Sequence, residues 1–304
     1  MMKRSFLIFF AVCAAACSKK MEVDTPDFSV ALDPAHLVAD TFTYRLGDTT
    51  RFQFSGSIGN IAFYSGEAGK SYAGRNAGYK LGKLTLKFSS KAEFGTQTNT
   101  LQVLATNKLP GLDSASVVNA AWTNISNRGA LGTSATVVPF GTADITDLVA
   151  NANDSLFIAF KYSGVTGSTQ RTWTITDLAV NNELPDKTVS LSTIGGDVAY
   201  WTRYGNVWSP ANARWTPSAT DLKITGGNAA APSNTSWIIT KPLYVGRVPG
   251  DVSVGVKSIN EPNLPGYAYL YTAPGVYTAT FVAFNHTLDE EKRTIKAFII
   301  KVIP

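Results

Sequence analysis

Short runs in which apolar and polar residues alternate, cut off by Gly, Pro, Asn or Asp, limit this chain more than any other feature. Phe28–Leu32, Arg51–Phe54, Asn60–Tyr64, Lys83–Phe88 and Thr100–Leu104 read this way. So do Leu156–Tyr162, Thr172–Leu178, Ser236–Thr240, Tyr267–Tyr271 and Val276–Ala283, and Ile295–Ile303 supplies a closing run. A period of two places alternate side chains on opposite faces of a strand. No segment holds a helical period, and past the N-terminus none approaches 18 consecutive apolar residues. The 25 Gly and 14 Pro provide the turns between strands. The expected fold class is all-β, with helix confined to a short turn near Asp144–Leu148.

The N-terminus follows other rules. Lys3 and Arg4 precede an apolar run, Phe6–Ala16, of eleven residues. That suits a signal-peptide core and falls short of the roughly 20 residues a spanning helix needs. The run ends Ala14-Ala15-Ala16-Cys17, which resembles a bacterial lipobox. The resemblance implies a signal peptide over 1–16, acylation of Cys17 and a flexible tether over 17–27. A plain secretory signal cut nearby is the alternative. Each buried acyl CH₂ contributes about 0.8 kcal/mol, so two or three chains hold a protein on a membrane. The expected location is therefore the outer membrane, on the cell surface or the periplasmic face.

Losing Lys3 and Arg4 with the signal lowers the formal charge from +5 to +3. Setting Lys19 and Lys20 aside in the tether leaves the folded part near +1, with no basic patch for nucleic acid. Charged residues make up 16%, below the roughly 25% of an average soluble protein, as suits an extracytoplasmic β-protein. Cys13 would leave with the signal, and Cys17 would be the sole remaining cysteine. That excludes a disulfide framework, a Cys-ligated metal and a Cys nucleophile. Two histidines, His36 and His286, are too few for a His-rich zinc site. No Gly-rich loop opens a helix to cradle a nucleotide phosphate.

Tyr271-x-x-Pro274-Gly275-x-Tyr277 resembles the penultimate hairpin of PKD-type immunoglobulin-like modules, whose tyrosines are core residues. Pro274-Gly275 predicts a type II turn with positive φ at Gly275. Leu46–Gly56 and Ile61–Glu67 look like the front strands of such a module. Neither end of the chain has the roughly seven strands of a complete immunoglobulin-like sandwich. One split PKD/Ig-like sandwich, 28–78 with 241–304, is therefore expected; a separate C-terminal Ig-like domain is the alternative. The insert, 79–240, resembles jelly-roll (galactose-binding-like) sandwiches of the cleaved-adhesin or choice-of-anchor type. Taken together, the lipobox, Phe63-Tyr64-Ser65-Gly66-Glu67, the insert and the tyrosine hairpin resemble one lipoprotein family of Bacteroidetes with a domain of unknown function. That likeness implies glycan capture, and no catalytic residue carries over from it.

All six tryptophans fall between 122 and 237. Trp201, Trp208 and Trp215, with Arg203 and Tyr204 among them, are candidates for a sugar-stacking platform. Gly205 and Pro210 interrupt that segment as they would a loop or broken hairpin. The alternative is that these rings cap the insert's core, as Trp122, Trp173 and Trp237 are expected to do. Glu67 is either a site acid or, more simply, an acceptor for backbone N–H groups on its turn. Asp144, Asp147, Asp154 and Asp177 are candidates for a structural Ca²⁺, and no other cofactor or metal is expected. Asp289-Glu290-Glu291 is expected in a solvated loop. The expected function is a membrane-anchored lipoprotein that binds a glycan for capture or presentation. A structural or adhesive protein gripping a protein partner is the alternative, and a glycoside hydrolase a third.

Overall fold

The computed structural model describes residues 22–57, 59–194, 202–205 and 215–304, the 202–205 stretch by its backbone. The chain is all-β, and its contacts divide it into two units. One unit holds the residues up to Glu67 together with Ser253–Pro304; the other is Ala68–Val252.

In the first unit the two ends of the chain share sheets. Thr49–Ser55 lies between Ser29–Ala31 and Gly266–Leu270 in a three-stranded sheet. A six-stranded sheet runs in the order Leu37–Val38, Thr41–Arg45, Glu291–Ile303, Gly275–His286, Asn60–Tyr64, Val254–Lys257. Its pairings are antiparallel except that Glu291–Ile303 runs parallel to Thr41–Arg45. The two sheets meet face to face through aromatic rings. Phe52 of the smaller sheet lies 4.8 Å from Phe281 of the larger, and Phe63 lies 4.7 Å from Phe281. Phe52, Phe63 and Tyr271 are buried in one cluster, with Tyr277 packed against it. Each buried aromatic ring of this kind contributes about 1.5–3 kcal/mol.

Three expectations need correction here. Residues 22–27 do not behave as part of the flexible tether expected over 17–27. Val23 and Pro26 are buried, and Asn285 and Thr294 donate to the carbonyls of Asp24 and Pro26 at 2.9 and 2.7 Å. Gly275 does not have positive φ; it opens the Gly275–His286 strand opposite Val302. A small residue is favoured there because the Tyr277 ring folds back, 3.0 Å from where a Cβ would sit, with its hydroxyl donating to Ala273 O at 2.8 Å. The boundaries of the inserted unit also lie outside 79–240. Asp251 accepts from Ser71 N and pairs with Lys187, while Val252 N donates to Gly69 O, so both flanks belong to the second unit.

Besides a two-stranded sheet in which Arg247–Val248 pairs with Gly78–Tyr79, the second unit has two larger facing sheets. One runs Val138–Asp144, Lys83–Glu93, Thr172–Glu183, Leu222–Ile224, Trp215–Pro217, with Thr188–Thr193 also on Thr172–Glu183. The other runs Thr202–Gly205, Asn234–Ile239, Ser155–Gly164, Leu101–Thr106, Thr123–Asn124, with Leu243–Tyr244 also on Ser155–Gly164. Leu86, Phe88, Ile175 and Val180 from the first sheet share a core with Val103, Ile158, Phe160 and Tyr162 from the second. The long Thr172–Glu183 strand carries a bulge where Asp177 takes φ +55°, and the register shifts between Thr176 and Ala179. The expected short turn is a 3₁₀ helix at Thr146–Leu148. A six-residue α-helix, Ser114–Asn119, was not foreseen.

Candidate ligand groove

The second sheet of the larger unit buries both its faces, and the parity of its residues shows how. Along Ser155–Gly164, Leu156, Ile158, Phe160 and Tyr162 enter the main core, whereas Ala159 joins a separate cluster on the outer face. Leu104, Trp237 and Ile239 join Ala159 there, with Phe157 partly buried against them. The covering layer is the 107–122 segment. Asp113 caps its short helix by accepting from Ser116 N at 3.0 Å and from Ser116 Oγ at 2.6 Å. Those bonds, the side-chain one foremost, hold the Asp113 carboxyl below the usual range. The helix presses a fully buried Val117 onto the sheet. Trp122 follows, anchored by Nε1 donating to Val117 O at 2.8 Å.

The cover is incomplete. Between the helix and the sheet remains an open groove of about 470 Å³, lined by Gln102, Leu104, Val118, Trp122, Asn124, Lys161, Thr235 and Trp237. Small-ligand sites fall in the range of about 300–1,000 Å³. Trp122 and Trp237 pack with centroids 5.5 Å apart, tilted by 36°. Lys161 holds its ammonium 5.0 Å from the centre of the Trp237 ring. Register explains the row: Lys161 lies opposite Trp237 on one side and Gln102 on the other. Trp237 is 4% exposed, and its Nε1 is buried without a hydrogen-bond acceptor among the described residues. Half-buried Trp122 forms the accessible aromatic wall.

A second cleft of about 290 Å³ opens beside Asn99, Arg171 and Trp173. Two of its polar side chains, Arg171 and Trp173, are already engaged. Arg171 donates to the carbonyls of Gln97 and Thr133 at 3.3 and 3.1 Å, and Trp173 Nε1 donates to Thr100 Oγ1 at 2.9 Å. The sheet-face groove is therefore the stronger site.

The sequence-predicted platform fares differently. Trp201 and Trp208 lie outside the described residues. Arg203 and Tyr204 lie on the Thr202–Gly205 strand, where the backbone register puts Tyr204 opposite Trp237 and Arg203 opposite Ile238. Trp215 is a core residue, which corrects its assignment to a stacking platform. It is 0% exposed, and Nε1 donates to Ser236 O at 3.2 Å. Trp173 is buried in the main core. Trp122 and Trp237 belong instead to the outer cluster. The sequence carried one hint of this: three consecutive apolar residues, Trp237-Ile238-Ile239, break the alternation read over Ser236–Thr240, the mark of a strand covered on both faces.

The remaining candidates have local tasks. Glu67 accepts from the Tyr269 hydroxyl and from Ser65 Oγ, while Tyr271 donates to Ser65 O at 3.0 Å. Gly66 between them has φ +83°, and a Cβ there would lie 2.5 Å from Thr278 N. The Phe63–Glu67 motif is thus a brace for the tyrosine hairpin. The four aspartates do not converge. Asp144 accepts from Thr146, Asp147 pairs with Arg128, Asp154 accepts from Ala150 N and Thr176 donates to Asp177. Among the described residues no three His, Cys, Asp or Glu side chains gather to hold a metal ion. His36 stacks on Tyr44 at 4.2 Å, and His286 lies beside Phe284. Cys17 lies outside the described residues.

Fold and groove together define an all-β protein with an aromatic recess on one sheet face. Over residues 16–197 the chain matches the family described as "Domain of unknown function (DUF5017)", and it belongs to that family. No curated protein and no solved structure matches the chain.

Proposed function

We propose that this is a membrane-anchored extracytoplasmic lipoprotein whose larger unit binds a glycan for capture or presentation. The observation that carries the reading is the groove between Trp122 and the outer sheet face. An aromatic wall takes the apolar C–H face of a sugar ring, and the amides of Gln102 and Asn124 suit its hydroxyls. No carboxylate lines the groove among the described residues, whereas a glycoside hydrolase needs a flanking pair. That favours binding over cleavage at this site.

On this reading Cys17 carries the anchor. The smaller unit is a PKD/Ig-like sandwich split by a jelly-roll insert, since both ends of the chain contribute strands to it. Screening the purified 18–304 protein on a glycan array, beside Trp122→Ala, tests the proposal. Binding of a defined glycan that Trp122→Ala loses is the expected result, and an array silent for both proteins contradicts it. A protein-binding role is the second reading. It is favoured by Val276, Ile295 and Ile299, exposed to 67%, 45% and 47% on the six-stranded sheet of the smaller unit.

A further inference from the structure

Resting on the glycan-binding reading, we infer that the groove selects an acidic sugar and that Lys161 receives its carboxylate. Of the groove-lining side chains, Lys161 is charged and the others are neutral. Elsewhere in the molecule two half-buried lysines find acids, Lys91 with Glu93 at 3.0 Å and Lys187 with Asp251 at 2.5 Å, and buried Lys257 donates to the carbonyls of Gly59 and Ser258, both at 3.0 Å. Lys161 is half-buried, yet among the described residues it makes no ion pair. Its contact is the face of Trp237.

A cation on an aromatic ring gains about 0.5–1 kcal/mol at exposed sites. A charge-assisted hydrogen bond to a carboxylate is about twice as strong as a neutral one, so an incoming acid competes well for the ammonium. The sheet row fixes where this happens. Trp237, Lys161 and Gln102 sit side by side across three strands, with Asn124 paired to Leu104 in the adjoining row. A ring seated against Trp122 therefore meets amides for its hydroxyls and one cation for its acid. A uronic acid carries these groups on a single ring; a neutral hexose leaves the cation without its counter-charge.

The test is calorimetric titration of the detergent-solubilised full chain with an oligogalacturonate and with a neutral galactan oligomer of equal length. The uronate should bind at least tenfold tighter, a preference of about 1.4 kcal/mol. Added salt should shrink that preference. Lys161→Gln should abolish it, and Lys161→Arg should retain it, with melting temperatures confirming that both variants fold. Equal binding of the two oligomers, or a preference that survives Lys161→Gln, overturns the inference while leaving the glycan reading intact. If neither these oligomers nor any arrayed glycan binds, the glycan reading fails and the inference with it.

Discussion

Both units gather aromatic side chains, and they use them in opposite ways. In the smaller unit three tyrosine hydroxyls of the cluster are engaged: Tyr269 with Glu67, Tyr271 with Ser65 O and Tyr277 with Ala273 O. Tyr271 and Tyr277 stack at 4.4 Å, which closes the cluster. On the outer face of the larger unit, Trp122 and Trp237 leave an open groove, a cation on a ring and a buried indole N–H with no acceptor among the described residues. Leaving a buried donor unpaired costs about 1–3 kcal/mol, so such packing is poor if stability is its only purpose. Aromatic residues by themselves do not mark a site; the completeness of their packing and pairing tells the two clusters apart.

Trp215→Ala should have the largest effect. It empties a fully buried site in the larger unit, at a cost of about 3–5 kcal/mol measured by chemical denaturation. A loss below about 1 kcal/mol would return this ring to the list of ligand contacts. Gly66→Ala comes next, at about 1–3 kcal/mol, because it pushes a Cβ against Thr278 in a left-handed backbone. A melting temperature equal to wild type would show that the Phe63–Glu67 brace carries no strain. Tyr271→Phe should cost about 1–3 kcal/mol by orphaning Ser65 O, which tests how closed the tyrosine cluster is.

Buried tyrosines in both units set an alkaline limit. Burial raises Tyr271 above its ordinary value of 10.0 and pushes Tyr162 up to about 12. A raised tyrosine pKa means that the folded state resists ionisation. Its stabilisation is complete below pH 10 and is lost as pH climbs through the folded value, for Tyr162 between about pH 10 and 12. Melting temperature against pH should bend downward above pH 10, and Tyr162→Phe should soften that bend. A bend unchanged in Tyr162→Phe would mean that another group sets the limit.

Strand parity made much of this fold legible in the sequence. The Asn60–Tyr64 run is a strand over the same residues, and the strand at the Tyr267–Tyr271 run is shifted by one residue, Gly266–Leu270. Leu222–Ile224 was missed because three residues are too few for a period to show, and Thr41–Arg45 was passed over although Thr-Phe-Thr-Tyr-Arg alternates. Gly275 misled because Pro-Gly chemistry suggests positive φ, whereas here a folded-back Tyr277 ring is the reason for a small residue. The groove was harder to read. Alternation tells which residues share a face, but not that the 107–122 segment would cover part of that face. Trp122 and Trp237 are 115 positions apart in sequence and meet through a helix that only the Asp113–Ser116 cap announced. The 201–215 cluster drew attention by local density, and Trp215 shows that density alone did not separate core from surface.

On the proposed function, ligand binds in the Trp122 groove. The most direct measurement titrates the best array glycan into wild type and Trp122→Ala while following the melting temperature of both. Loss of the ring should weaken binding by roughly tenfold, as expected for about 1–2 kcal/mol of stacking and buried area, and shift the melting temperature less than Trp215→Ala does. Unchanged affinity in a folded Trp122→Ala protein would contradict the account and place the site elsewhere.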